Sequence, residues 1–137
     1  GEFTEEAFRE VLGDTSLPDR AKRILLCQGK VFYDLARHRD EKEVEGASLV
    51  RIEQLYPLRL DLLRETASAA EGAEIYWVQE EPENMGAWTF VDHHLRRELG
   101  WEMTLVAREE SASPATGSNR LHQAEQQELV ERAFEGL

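Results

Sequence analysis

The stretch "VQEEPENMGAWTF" (78–90) places glutamates at 80, 81 and 83, directly before an apolar helical pattern. Two close carboxylates cannot both ionise freely, so such a pair could grip a partner or shift its own pKa. The same glutamates could instead favour the positive end of the following helix, with Pro82 shaping the turn and Asn84 capping. The residues alone leave both interpretations open.

A second candidate is the polar loop "SASPATGSN" (111–119), which is rich in small hydroxyl residues. Such a loop before a helix can offer backbone N–H groups to an anion, for docking or for a nucleotide-type effector. It could equally be a polar connector with Ser118 or Asn119 capping the helix. The candidate docking or effector residues are Arg108, Ser111, Ser113, Thr116, Gly117, Arg120, His122 and Gln126.

Other reactive side chains give weaker patterns. His93 and His94 are adjacent in a predicted helix and point about 100° apart, so they lack the spacing of a paired metal site. Cys27 lies inside an apolar run, which favours a buried thiol over a reactive one. No "G-x-S-x-G" elbow accompanies the serines. We therefore expect neither a metal site nor catalytic residues in this chain.

The elements that would position these residues alternate along the sequence. Short apolar runs at 23–29, 47–55, 73–79 and 101–108 predict strands, and amphipathic segments at 30–43, 56–70, 86–100 and 120–137 predict helices. This alternation predicts an α/β fold with an open, mostly parallel, Rossmann-like sheet and helices on both faces. Its ligands and partners would meet the loops at the carboxyl ends of the strands.

The first and last helices carry specific expectations. Residues 3–14 are predicted as a helix that Thr4 caps and Gly13 ends. We accordingly divide the chain into an N-terminal helix and connector (1–22) and an α/β domain (23–137). The last helix should offer a core face made of Leu121, Leu129, Val130 and Ala133.

The composition of the 137 residues fits one domain, with 41% hydrophobic and 32% charged residues. A net charge of −12 argues against binding to nucleic acid or to anionic membranes. No apolar run approaches the roughly 18 residues that span a bilayer, and we see no secretion signal. The lone Cys27 allows no internal disulfide and fits a reducing compartment.

Four motifs in order, "RILLCQGKVFYDL", "VRIEQLYPL", "VQEEPENMGAW" and "SASPATGSNRLHQAEQQELV", resemble the C-terminal domain of the 2-oxoglutarate dehydrogenase first component. The resemblance runs from about Arg23 to Phe134. It implies a transketolase-like C-terminal fold. Met85 departs from it, because the family usually has Gln at that position, and any polar contact of that Gln is in doubt here.

The resemblance implies an activity for a larger enzyme, a thiamin-diphosphate-dependent decarboxylase that transfers succinyl to lipoyl groups. Its amino-proximal domains carry the cofactor and Mg²⁺, through a Gly-Asp-Gly pattern followed by Asn. This chain has only "LGDTS" at 12–16, so we expect it to bind no cofactor and to be inactive alone. The implied partners are the remaining domains, a second copy in a homodimer and the dihydrolipoyl succinyltransferase core.

The resemblance also assigns a role to the residues at the strand ends. The candidate domain or subunit contacts are Arg51, Glu53, Glu80, Glu81, Asn84 and Trp88. Arg51 and Glu53 flank Ile52 and should form either a surface ion pair or an anchored contact. The implied location is the bacterial cytoplasm or the mitochondrial matrix. A relative acting on 2-oxoadipate, a decarboxylase variant, or a free-standing nucleotide- or acyl-CoA-binding regulatory module remains an alternative.

Overall fold

The computed structural model describes residues 11–13, 21–53, 55, 58–68, 72–109 and 119–137. These residues form five strands and four helices. The strands are β1 (Val11–Gly13), β2 (Arg23–Cys27), β3 (Ala47–Ile52), β4 (Glu74–Pro82) and β5 (Thr104–Arg108). The helices are α1 (Val31–Glu41), α2 (Leu60–Ser68), α3 (Trp88–Leu99) and α4 (Asn119–Phe134).

The five strands make one sheet in the order β1-β3-β2-β4-β5. Strands β2 to β5 are parallel, and β1 runs antiparallel beside β3 at the margin. The chain adds β3 on one side of β2 and then returns to add β4 on the other, so the order reverses between β2 and β4. The prediction of an open, mostly parallel sheet is confirmed.

The sheet separates two apolar cores because successive strand residues point to opposite faces. On one face, strand residues such as Ile24, Leu26 and Trp77 pack under α2 and α3. On the other face, Leu25, Leu49, Val78 and their neighbours pack under α1 and α4. Helices therefore cover both faces, as the alternation of elements predicted.

Helix α3 shows how the sequence sets an element. Val91 and Leu95 lie four apart and are fully buried, because residues at that spacing share one helix face. Gly100 then takes a left-handed conformation with φ of 70°, and its N–H donates to the Arg96 carbonyl. This is a glycine-terminated helix end of the predicted kind.

Two predictions about the terminal helices are wrong. Val11–Gly13 is a strand paired with β3, so the predicted N-terminal helix does not continue to Gly13; the rest of that segment, including Thr4, lies outside the described residues. Backbone pairing with the free edge of β3 determines the conformation of these residues, despite the helical pattern of the local sequence. Leu121 is 45% exposed, because only the last turns of α4, from Leu129 to Phe134, cover the sheet.

No helix in the part of the chain that the structure describes is long and apolar enough to cross a membrane. The proposed boundary between residues 22 and 23 stays a prediction.

Candidate functional site

The candidate residues surround what we call the carboxyl end of the sheet, where the parallel strands finish at Cys27, Ile52, Pro82 and Arg108. The first turns of α1, α3 and α4 follow these strands and border the same end. Ligands and partners of open α/β sheets bind in this region.

The glutamates of the stretch 78–90 do not form a carboxylate pair. Glu80 and Glu81 lie within β4, which continues to Pro82, and they do not belong to a helix start. The Glu80 carboxylate accepts from Gln126 of α4, whereas the Glu81 side chain lies beside Gly86. Their contacts are on different sides of the strand, so Glu80 and Glu81 fit neither the paired-carboxylate nor the helix-dipole interpretation.

The helix after this stretch starts without the predicted cap. α3 begins at Trp88, and Ala87 before it makes no side-chain capping hydrogen bond. Asn84 lies three residues further back and is exposed, so its predicted capping role is wrong. A different side chain satisfies the N–H of Trp88, namely Gln79.

Gln79 organises the whole loop between β4 and α3. Its side chain is buried, with 4% of its surface exposed. Its Oε1 accepts from Trp77 Nε1 at 2.9 Å and from the Trp88 N–H at 3.0 Å. Its Nε2 donates to the carbonyls of Glu81, Pro82 and Met85 at 3.1, 2.8 and 2.9 Å. One buried amide therefore fixes both ends of the turn.

Gly86 closes this turn around Gln79. Its backbone φ is +69°, in a region that residues other than glycine rarely adopt. A Cβ there would come within 3.1 Å of Glu81 Cδ and 3.2 Å of Gln79 Oε1. The glycine of the motif is thus required by the backbone and by the close approach of Gln79.

A second polar network ties four elements together at the carboxyl end. Gln126 Nε2 of α4 donates to Asp34 Oδ2 of α1 and to Glu80 Oε1 of β4, both at 2.9 Å. Its Oε1 accepts from Arg108 Nη2 of β5. Arg108 Nη1 also donates to Glu125 Oε2 at 2.8 Å. Two of the candidate docking or effector residues, Gln126 and Arg108, therefore contact each other, and their docking or effector role stays a prediction.

This network occupies the point at which the strand order reverses. The crevice between β2 and β4 is where open α/β sheets bind nucleotides. Here the turn after β2 leads to Asp34, β4 supplies Glu80, and Gln126 bridges the two. The chain's own side chains therefore bridge this crevice, and two of the three are acidic.

The third group at this end is the cluster around Arg51. Its Nη1 donates to the Tyr33 hydroxyl at 2.8 Å, and its guanidinium lies 5.1 Å from the Phe32 ring centroid. Its Nε is 2.6 Å from Glu53 Oε1, but the N–H is not aligned for a hydrogen bond. The predicted ion pair of Arg51 with Glu53 is therefore present, within a larger aromatic cluster.

Cys27 lies beneath this cluster. It pairs across the strands with Arg51 and is fully buried. Burial raises the pKa of the Cys27 thiol to about 12, an effect that the positive charge of Arg51 only partly offsets. A thiol of this kind is a small hydrophobic core group, as predicted.

The remaining candidates fall into three groups. His93 is exposed and His94 is half-buried, and their ring centroids are 5.2 Å apart. Among the described residues, no group of three or more His, Cys, Asp and Glu side chains is placed to hold a metal. Arg120 and His122 are exposed on the first turn of α4. The loop residues Ser111, Ser113, Thr116 and Gly117 lie outside the described residues, so their docking or effector role stays a prediction.

Trp88 is half-buried, and Glu80 is half-buried while Glu81 is exposed. These residues are accessible in the chain by itself, which a contact role requires. The residues that sequence reasoning missed are Gln79 and Asp34. Gln79 was visible as the polar residue that closes an apolar strand, but its partners are the Trp77 side chain and backbone groups that no local pattern indicates.

The fold has the architecture of a known class. A solved structure described as "Split gene transketolase, inactive beta4 tetramer" matches with a TM-score of 0.57 over 84% of this chain and 40% of that chain. The sequence identity is 17%, so this match shows the fold alone. The chain is thus an α/β domain of the transketolase C-terminal type.

The sequence comparisons give the family. Residues 1–134 match the family described as 2-oxoglutarate dehydrogenase C-terminal, and the chain belongs to it. The 2-oxoglutarate dehydrogenase E1 component of Cupriavidus necator is 37% identical over 134 residues, and the mitochondrial 2-oxoglutarate dehydrogenase of Caenorhabditis elegans is 38% identical over 135. The 2-oxoadipate dehydrogenase complex component E1 of Xenopus laevis is 38% identical over 129.

These relatives are much longer than the matched domain. The alignments cover 90% to 93% of this chain but only 13% or 14% of each relative. The family resemblance and the transketolase-like fold predicted from the motifs are both confirmed.

Proposed function

We propose that this chain is the carboxyl-terminal domain of a 2-oxoglutarate dehydrogenase first component, in which it supports and contacts the domains that carry the chemistry. The observation that carries this proposal is the match over residues 1–134 to a domain that makes up about one seventh of its relatives. The whole enzyme would decarboxylate 2-oxoglutarate and transfer succinyl to lipoyl groups of the succinyltransferase core.

The side chains favour support over catalysis or nucleotide binding. The crevice at the strand reversal is filled by the bridge from Gln126 to Asp34 and Glu80. A phosphate placed there would meet two carboxylates, which repel it. This arrangement argues against the alternative of a free-standing nucleotide- or acyl-CoA-binding module.

Thiamin diphosphate and Mg²⁺ would be held outside this domain. Mg²⁺ is bound through oxygen ligands, usually one or two carboxylates plus phosphate oxygens of the substrate. The described residues offer no such cluster, and the carboxylates of Asp34, Glu80 and Glu125 are engaged with Gln126 and Arg108. These residues do not fit the cofactor, and the chemistry it supplies belongs to other parts of the enzyme.

The experiment that tests the proposal begins with the size of the native polypeptide, measured with an antibody against this domain. A band many times larger than 15.7 kDa is expected. That polypeptide, purified with thiamin diphosphate and Mg²⁺, should oxidise 2-oxoglutarate with an artificial electron acceptor, and 2-oxoadipate is assayed in parallel. A band near 15.7 kDa would refute the proposal, and faster turnover of 2-oxoadipate would reassign the substrate.

The proposed assembly and location follow from the same relatives. A homodimer and the succinyltransferase core are the expected partners, tested by co-purification and by the mass of the native particle. The compartment would be the cytoplasm in a bacterium or the matrix in a mitochondrion, tested by cell fractionation.

A further inference from the structure

We infer that the carboxyl end of the sheet is the surface on which the preceding domains of the same polypeptide rest. This inference deepens the proposed function and depends on it. The occupant would be a surface amino-terminal to this domain, with apolar groups for the exposed side chains and Lys or Arg for the surrounding carboxylates.

Exposed apolar side chains collect at this end. Among the described residues, four large hydrophobic side chains are exposed: Tyr33 at 60%, Met85 at 59%, Leu121 at 45% and Leu137 at 38%. Single exposed apolar residues are ordinary, so only their placement carries an argument.

Three of the four lie at the carboxyl end. The Tyr33 hydroxyl accepts a hydrogen bond from Arg51 at the end of β3, and Met85 is in the turn that follows β4. Leu121 lies near the start of α4, further from the sheet than Gln126, which contacts the ends of β4 and β5. Leu137 is at the opposite end, next to Gly136, which lies beside the Arg23 that begins β2.

The direction of β1 brings the preceding polypeptide to the same place. β1 is antiparallel to β3, with Val11 opposite Ile52 and Gly13 opposite Val50. Any polypeptide amino-terminal to Val11 therefore joins the sheet at the carboxyl end of β3, beside the cluster of Arg51. A covalently attached neighbour has a high effective concentration at the surface where it is tethered.

Charge defines the chemistry of this neighbour. Glu81 and Glu83 are exposed at this end, whereas Glu53 is paired with Arg51 and Glu125 is paired with Arg108. Exposed Lys30 and Arg120 lie at the same end, but the chain as a whole carries a net charge of −12. A second copy of this domain would oppose acid to acid, whereas a basic and apolar surface of the preceding domains would be complementary.

Hydroxyl-radical footprinting tests the inference on the 137-residue chain and on the complete polypeptide encoded by its gene. Tyr33 and Met85 are fast-reacting probes, and half-buried Trp101 at the opposite end is the internal control. We expect oxidation of Tyr33 and Met85 to fall several-fold in the complete polypeptide, with Trp101 unchanged. Equal oxidation in both forms would overturn the inference and leave the proposed function standing.

A matched pair of variants separates contact from folding. Met85→Glu and Leu137→Glu place the same charge on exposed side chains at opposite ends of the sheet. Both should leave the unfolding midpoint of the 137-residue chain unchanged, and only Met85→Glu should speed proteolytic release of the domain from the complete polypeptide. Equal release by the two variants contradicts the inference.

Two further outcomes also decide the question. Protection of Tyr33 and Met85 in the 137-residue chain that increases with its concentration would assign the surface to a second copy and overturn the inference. A gene product of the same size as this chain would refute the proposed function, and the inference with it, before any footprint is taken.

Discussion

At the scale of single residues, Gln79 is the side chain on which the loop between β4 and α3 depends. Gln79→Met keeps most of its volume but leaves the buried Trp77 Nε1 and several backbone groups without partners. Since each orphaned buried group costs about 1–3 kcal/mol, we expect a loss of about 2–4 kcal/mol in the free energy of unfolding. Urea unfolding measures it.

The matched control for Gln79 is Gln127→Met. Gln127 is exposed and its amide bonds only to Glu131, so the same chemical change should cost less than about 0.5 kcal/mol. If the two variants unfold at the same urea concentration, Gln79 does not hold the loop in the way described.

Cys27 gives a prediction about pH. Its pKa is about 12 in the folded chain and about 8.5 when unfolded, so above pH 8.5 the unfolded chain loses this proton first. The stabilisation is complete below pH 8.5 and is lost as the pH rises towards 12, by at most about 1.4 kcal/mol per pH unit.

The pH effect of Cys27 is measured against Cys27→Ala. The difference in unfolding free energy between the two proteins cancels the other groups that titrate in alkali. It should be constant below pH 8 and shrink as the pH rises to 10.5. A constant difference over the whole range would mean that the folded thiol ionises normally.

At the scale of elements, Arg23 fastens the end of α4 to the start of β2. It is 3% exposed, and its Nη1 donates to the carbonyls of Ala133 and Glu135 at 3.0 and 2.8 Å. Its guanidinium lies 4.2 Å from the Tyr76 ring centroid and is paired with Glu74. Cations are favourable at helix C-termini, where carbonyls lack partners.

We therefore expect Arg23→Met to loosen the last turns of α4 before the rest of the domain. The unfolding free energy should fall by about 2–4 kcal/mol, because buried carbonyls lose their donor. Hydrogen exchange should quicken most at residues 129–135. Arg97→Met, at an exposed site, is the control, and equal exchange in both variants would exclude this role for Arg23.

The elements also show what a sequence can predict. The central strands and helices were recovered because buried strands are continuous apolar runs and helices repeat at i, i+4, as in Val31 and Leu35. β1 was missed because a three-residue strand depends on its pairing with β3. β4 was predicted to end too early. Its last residue, Pro82, pairs with Arg108 after a shift in the β4–β5 register between Val78 and Pro82, and this contact is distant in sequence.

The same distinction applies to the site. Arg51 and Glu53 were found because alternate residues share one face of a strand. The bridge of Gln126 to Asp34 joins residues 92 apart in the sequence, and no local pattern indicates it. Nor does composition show that the glutamates of the motif contact opposite sides of β4.

At the scale of the whole molecule, the two cores share one sheet, so we expect them to unfold together. All three tryptophans, Trp77, Trp88 and Trp101, belong to the core under α2 and α3. Trp fluorescence therefore reports on that face alone, whereas far-ultraviolet circular dichroism reports on helices of both faces. Leu129 is buried in the opposite core, under α1 and α4.

Leu129→Ala should lower the unfolding free energy by about 2–5 kcal/mol through the cavity it leaves. If the sheet couples the two faces, the fluorescence and circular dichroism transitions shift together, although no tryptophan touches the substituted core. Leu63→Ala in the tryptophan-containing core should behave in the same way, and exposed Leu137→Ala should shift neither signal. A fluorescence transition left in place by Leu129→Ala would show that each face unfolds separately, because its own helices, and not the shared sheet, would then set its stability.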